Sequence, residues 1–399
     1  MRFTSLLVLL VLVSGCIDSE KTAGPASTKR PEQTTTTITP STTIIASTTT
    51  SPAQTASTSV TATSVTTTST ASTSTTTKPK TVDIKPRTLS NCIGFVPGAP
   101  EEMPWIADLG AGWARPHPGP FAWEWVEKRR GESDYAVTDE WVRAAQESGV
   151  ALLGTIWPYV GWDQGRCHKA ECEVSETDIF YPRGKGGFTD GIPKSRCIPC
   201  GIEDYKKFVG RLVERYDGDG VDDMPGLTQP VKFWETLNEP AMRSEDLTFF
   251  KGTAQEYVQI LKATYESVKK ACPDCTVVQG GAEGTDPKFT AYWEEVFENG
   301  GGQYFDIANI HYISSGDLST LNVAAYKRLL AKHGIDKPVW VTEAEYKSEN
   351  EIDASTTGAL KAGAAKIFYT RFKAGGRGPP QPGAYSQQYR QQPGKCPSN

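Results

Sequence analysis

Two apolar runs in this chain end in glutamate. Val231-Lys-Phe-Trp-Glu-Thr-Leu-Asn-Glu-Pro240 reads as a buried strand closed by Asn238-Glu239-Pro240, because Pro240 cannot continue a central strand and turns the chain into a loop. Val339-Trp-Val-Thr-Glu343 has the same form. Two carboxyl groups facing each other across a cleft can divide acid and nucleophile chemistry between them. One, held protonated, releases a leaving oxygen; the other, ionised, attacks carbon. Cleavage of a glycosidic bond requires this division. Glu345, two positions beyond Glu343 and on the same strand face, competes for the second role. The four histidines (His117, His168, His311 and His333) form no His-Glu-x-x-His. Nor does the chain carry Gly-x-Ser-x-Gly, a P-loop or Gly-x-Gly-x-x-Gly, so zinc proteases, elbow-type serine hydrolases and nucleotide enzymes lose their main support.

For the two glutamates to meet, their strands must share a rim. Strand-like runs occur at Cys92–Val96, Gly112–Arg115, Ala151–Trp157, Val231–Leu237, Thr276–Gln279, Ile307–Ile313 and Pro338–Thr342. Helix-like segments lie between them: Glu101–Leu109, Thr138–Ser148, Ile202–Tyr216, Thr253–Ala271, Pro287–Glu298 and Thr320–Lys332, with Thr356–Ala374 after the last. Repeated βα units of roughly 35 residues predict an α/β fold with a parallel sheet closed into a (β/α)8 TIM barrel. Glu239 and Glu343 are 104 residues apart, about three such units. That spacing puts them on one rim, at the C-terminal ends of the fourth and seventh strands. Trp157, ending the third strand, is the candidate aromatic platform for a sugar, whereas Trp340 reads as packing. The eighth strand is the difficulty. After Gly375-Gly376 the chain is rich in Pro, Gly and Gln to Asn399. Either Ala365–Thr370 is itself the strand or the last unit is missing. The second reading is favoured, with incomplete or distorted closure between Cys92–Val96 and Pro338–Thr342 and an irregular tail over 377–399.

These motifs resemble those of the clan A retaining glycoside hydrolases, which are (β/α)8 barrels. Asn238-Glu239-Pro240 is similar to that clan's acid/base motif, and Glu343 to its nucleophile. Trp123-x-x-x-Glu127-x-x-x-Gly131 through Thr155-Ile-Trp157 resembles the pattern of families 39, 42 and 5 around strands two and three, and the likeness runs from about Cys92 to Gly375. It implies that Glu239 is the general acid/base, that Asn238 binds the sugar 2-hydroxyl and that Arg115 keeps Glu343 ionised. It places His311 and Tyr312 beside the nucleophile, although the clan's usual His-x-Tyr has Ile313 in its third position here. It also implies a Trp at the end of strand eight, for which the chain offers no candidate, and no cofactor.

The remaining features concern where the domain sits. The chain has 399 residues and a formal net charge of −5, with no basic footprint for nucleic acid. Met1-Arg2, the apolar run Leu6–Val13 and Ser14-Gly15-Cys16 read as a secretory signal over 1–15 and resemble a prokaryotic lipobox, in which Cys16 would take the lipid. An ordinary signal peptide is the alternative. From Thr34 to Thr77 the chain is roughly 70% Ser and Thr, so 16–82 reads as a disordered stalk. The folded domain is then 83–376, with a Cys-bearing insertion over 161–201 after strand three. Cys167, Cys172, Cys197 and Cys200 in that insertion predict disulfides outside the cytosol, with a shared zinc as the rival. Asp217–Asp223 reads as a solvated turn rather than a calcium loop. The expected protein is a lipid-anchored retaining glycosidase on the extracellular face, acting on a poly- or oligosaccharide, with no protein partner. A catalytically silent carbohydrate-binding protein and a transglycosylase are the alternatives.

Overall fold

The computed structural model describes residues 89–174, 192–243, 247–372 and 387–397. Cys16, the signal segment, the stalk and parts of the insertion and tail lie outside them. Eight parallel strands form one sheet: β1 Ile93–Phe95, β2 Trp113–Ala114, β3 Ala151–Ile156, β4 Phe233–Thr236, β5 Thr276–Gln279, β6 Ala308–Ile313, β7 Val339–Glu345 and β8 Ala364–Tyr369. Their order is β5-β4-β3-β2-β1-β8-β7-β6. The two ends meet through parallel bridges Val278–Ile307 and Ala282–Ile310 and the bond from His311 N to Ala282 O at 2.8 Å. The sheet is therefore a closed (β/α)8 barrel, with helices such as Ala254–Ala271 and Pro287–Glu298 outside it.

The missing-strand expectation is overturned. β8 pairs with β1 through Ile93–Ile367 and Phe95–Tyr369, and with β7 through Val339–Ala364 and Val341–Ile367. The eighth strand is present, with register shifts in its pairing to β7, because the helix read over Thr356–Ala374 is in fact two elements. A helix spans Ile352–Lys361, and Gly363 at φ 99° reverses the chain into the strand. Lys366, which obscured the strand pattern, points into the bottom of the barrel. Its ammonium lies 4.3 Å from the Trp113 ring and donates to Leu89 O and Asn91 O.

The described tail stands where an eighth helix would. Two 3₁₀ turns, Gln387–Gln391 and Pro393–Lys395, lie between the first and last helices. Arg390 pairs with Asp108 and Lys395 with Asp353, while Tyr389 packs on Tyr369 and Phe95. A disulfide joins Cys396 to Cys92 at the start of β1. Cys167–Cys200 and Cys172–Cys197 tie the insertion, and Cys272–Cys275 closes a turn. The zinc alternative fails because those sulfurs are consumed in pairs. The Asp217–Asp223 segment is a turn whose carboxylates accept backbone N–H groups of Gly218, Asp219, Gly220 and Val221.

The barrel interior is layered along its axis. At the bottom Trp113, Ala151, Leu153, Val278, Ile307, Trp340 and Phe368 form a buried apolar plug. Gly94 is required there: a Cβ would lie 2.5 Å from the Phe368 ring. Above the plug the interior turns polar.

Candidate active site

The polar layer begins with Arg115, just beyond β2 and fully buried. Its guanidinium is divided three ways: Nε donates to Glu235 at 2.7 Å, Nη1 to Glu343 at 2.8 Å and Nη2 to Asn238 Oδ1 at 2.6 Å. Glu235 also accepts from Thr155 at 2.5 Å and from Asn309 Nδ2 at 2.7 Å. Sequence reasoning passed over Glu235, Asn309, Thr155 and Thr342. The available signal was strand alternation, which puts 233, 235 and 237 on one face of β4, so a carboxylate in the middle of that run faces a barrel interior.

Glu239 follows β4 on a bent backbone. Leu237 and Glu239 have φ values of 65° and 37°, a region that non-glycine residues enter at a cost of order 1–3 kcal/mol each. The neighbouring contacts hold this shape. Met242 N bonds Glu239 O at 3.0 Å, Arg243 donates to Pro240 O at 2.9 Å, and buried Glu283 accepts from Ala241 N and from Trp293 Nε1. Glu239 thereby faces His311, with Oε1 2.7 Å from Nδ1.

Glu343 reaches the same point by a bulge. Ile310 pairs with Val341 and His311 with Glu343, so Thr342 is an extra residue in β7. Trp340 belongs to the interior plug and Val341 to the outer core. The bulge then lets both Thr342 and Glu343 contact the interior polar groups. One oxygen of Glu239, one of Glu343 and a nitrogen of His311 all lie within 4.8 Å of one another. Their types could ligate a cation, but Arg115 already supplies the positive charge beside Glu343. Glu345, the rival nucleophile, pairs with Arg371 at 3.6 Å instead.

The two carboxyl groups have different surroundings. Burial pushes Glu239 up to about 8, against the more distant pull of Arg115. Burial also raises Glu343, but the contacting Arg115 cation opposes that rise. His311 is pushed down to about 4 by burial, which leaves the ring neutral. Glu239 is thus the better proton holder and Glu343 the better anion. Asn238 is buried, and its Nδ2 lacks a hydrogen-bond partner while Oδ1 is held by Arg115.

Not every expected site residue comes to the centre. Tyr312 alternates away from His311 and faces Tyr346, with ring centroids 6.4 Å apart. Trp157 is 1% exposed and wedged between His117 and Phe249, so neither face is open to a sugar. At and just after the end of β8 the chain carries Tyr369 and Phe372 rather than a Trp, and both pack on Phe95. Sequence reasoning also missed Gly280 and Gly281 at the end of β5. A Cβ at Gly280 would lie 2.6 Å from Thr236 O, and one at Gly281 would lie 2.0 Å from His311 Nε2.

No family model matches the sequence, and a comparison with curated proteins finds no match. Among solved structures, a glucosidase from Croceicoccus marinus is similar at TM-score 0.49 and 16% identity, over 71% of this chain and 60% of that one. A family 39 glycoside hydrolase from Bacteroides cellulosilyticus WH2 is similar at TM-score 0.45 and 18% identity, over 73% and 59%. Xylanase 10B from Thermotoga petrophila RKU-1 is similar at TM-score 0.47 and 15% identity, over 71% and 83%. The chain thus spans about three-fifths of the glucosidase and of the family 39 enzyme.

Proposed function

We propose that the protein is a retaining glycosidase in which Glu343 attacks the anomeric carbon and Glu239 serves first as acid and then as base. The observation that carries this reading is the placement of Glu239 and Glu343 within 4.8 Å of each other, with a cation against one and a neutral imidazole against the other. Retaining enzymes hold their carboxyl groups about 5–5.5 Å apart, and inverting ones leave roughly 6.5–9.5 Å for a water. In the first step the C–O bond to the leaving group breaks as Glu343 bonds to C1, and Glu239 gives its proton to the departing oxygen. In the second, water adds to C1, Glu239 takes its proton and Glu343 is released. Asn238 Nδ2, buried and unpartnered, is the donor available to a sugar hydroxyl beside C1.

The substrate in this reading is an external poly- or oligosaccharide, and the domain is lipid-anchored through Cys16 on a Ser/Thr-rich stalk. Four disulfides support an oxidising compartment. The silent-protein alternative drew on a missing strand, and β8 removes that ground. Transglycosylation would use the same two glutamates with a sugar acceptor in place of water. Screening the purified domain on aryl glycosides and polysaccharides finds the substrate, and Glu343→Gly then tests the roles. The variant is expected to lose hydrolysis and, with azide, to form a glycosyl azide of inverted configuration. Unimpaired hydrolysis by Glu343→Gly would overturn the assignment.

A further inference from the structure

Thr342 lies between neighbours that fix the direction of its single hydroxyl hydrogen. Asn309 donates from Nδ2 to Glu235, so its Oδ1 faces Thr342 and accepts from Thr342 N at 3.3 Å and Oγ1 at 2.9 Å. The other acceptor in reach, Glu235 Oε1, is at 3.4 Å. Either way the hydrogen is directed at an obligate acceptor. Toward His311 Nε2, 2.9 Å away, Thr342 Oγ1 must therefore accept, and Nε2 carries the ring hydrogen. The buried ring is neutral, so Nδ1 is a bare lone pair 2.7 Å from Glu239 Oε1. Two lone pairs at that distance repel. The contact is a hydrogen bond when Glu239 carries the proton.

We propose that Thr342 is a positioning residue that locks His311 in its Nε2–H form and thereby holds the resting proton on Glu239. The proposal rests on the reading of Glu239 as the acid. It adds a consequence for both steps. When Glu239 gives its proton to the leaving oxygen, its carboxylate is left facing the Nδ1 lone pair, which makes it a stronger base for the water that follows. Taking that water's proton restores the Glu239 O–H···Nδ1 bond. His311 keeps its own proton throughout. The charged and titratable groups around the ring are Glu239 in contact, Glu343 at 3.8 Å, and Arg115, Glu235 and His117 acting through space. From β5 the ring meets the backbone of Gly281, which brings no charge.

Long-range ¹H–¹⁵N spectra of histidine-labelled protein read the tautomer, with the His311 signal assigned by its loss in His311→Gln. The wild type is expected to show a protonated Nε2 and a bare Nδ1. Thr342→Val, which keeps the shape and removes the hydroxyl, should populate the Nδ1–H form. It should lower kcat/KM, which reports the first step, by about tenfold or more on glycosides with poor leaving groups while changing it about twofold or less on dinitrophenyl glycosides, because the latter leave without acid help. Thr342→Ser should restore both. An Nδ1–H ring in the wild type, or equal losses on both substrate classes, overturns the lock. Should Thr342→Val not fold, the wild-type and Thr342→Ser spectra decide. If the wild type cleaves no glycoside, the functional reading falls and the wild-type spectrum still decides the lock.

Discussion

Glu239 bears two opposing demands. It must hold a proton to act as an acid, and burial that raises its pKa to about 8 supplies that proton at neutral pH. The activity, measured as kcat/KM, is therefore expected to fall as pH rises through about 8, and Glu239→Gln should abolish that limb along with most of the rate on poor leaving groups. The same shift has a stability cost. A carboxyl whose folded pKa is raised contributes stability that is present below its unfolded pKa and lost as pH climbs through the folded one. Glu239→Gln removes that dependence, so its Tm should exceed the wild type's at pH 8 by about 2–5 °C and not at pH 4. Calorimetry at the two pH values checks this, and an unchanged difference would mean Glu239 is not the group being titrated. The two catalytic candidates were legible from their positions at strand ends. Glu235 could have been found by strand alternation but was passed over inside an apolar run, whereas Thr342 was not legible, because it is directed inward by a bulge that alternation does not reveal.

The elements meet closely at the end of β5. Gly280 and Gly281 let that strand lie against the β4 carbonyls and the His311 ring, where any side chain would collide. Gly281→Ala should therefore leave a folded protein with His311 displaced and kcat/KM lowered about 100-fold or more, since misplacement by about 1 Å can cost that much. A variant with near-wild-type kinetics would show that His311 need not stand where it does. The seven βα units and the rim shared by Glu239 and Glu343 were readable because apolar runs recur at a barrel-like interval. The eighth strand was read only as the disfavoured alternative at Ala365–Thr370, because Lys366 interrupts its apolar pattern and Gly363 ends the preceding helix earlier than its composition suggests. Trp157 illustrates the converse error. A tryptophan at a strand end reads as a platform, yet the His117 and Phe249 rings enclose it.

At the scale of the whole molecule, the described chain is sealed at its two ends. Cys92 and Cys396 are 304 residues apart and join the start of the first strand to the described tail. The tail's role could not be read from the sequence, since turns rich in Gln and Pro carry no helical period. Loss of a native disulfide typically costs about 2–5 kcal/mol. Cys396→Ser should accordingly lower Tm by several degrees while leaving kcat/KM at 25 °C within about twofold, because Cys92 lies at the end of β1 opposite the catalytic rim. An unchanged Tm would mean the tail is held by Arg390, Lys395 and Tyr389 without the bond. The central claim, that Glu343 and Glu239 act by double displacement, is tested most directly by following the first anomer released from a cleaved glycoside by ¹H NMR, before mutarotation. The account predicts a product of the same anomeric configuration as the substrate, and first release of the opposite anomer would contradict it.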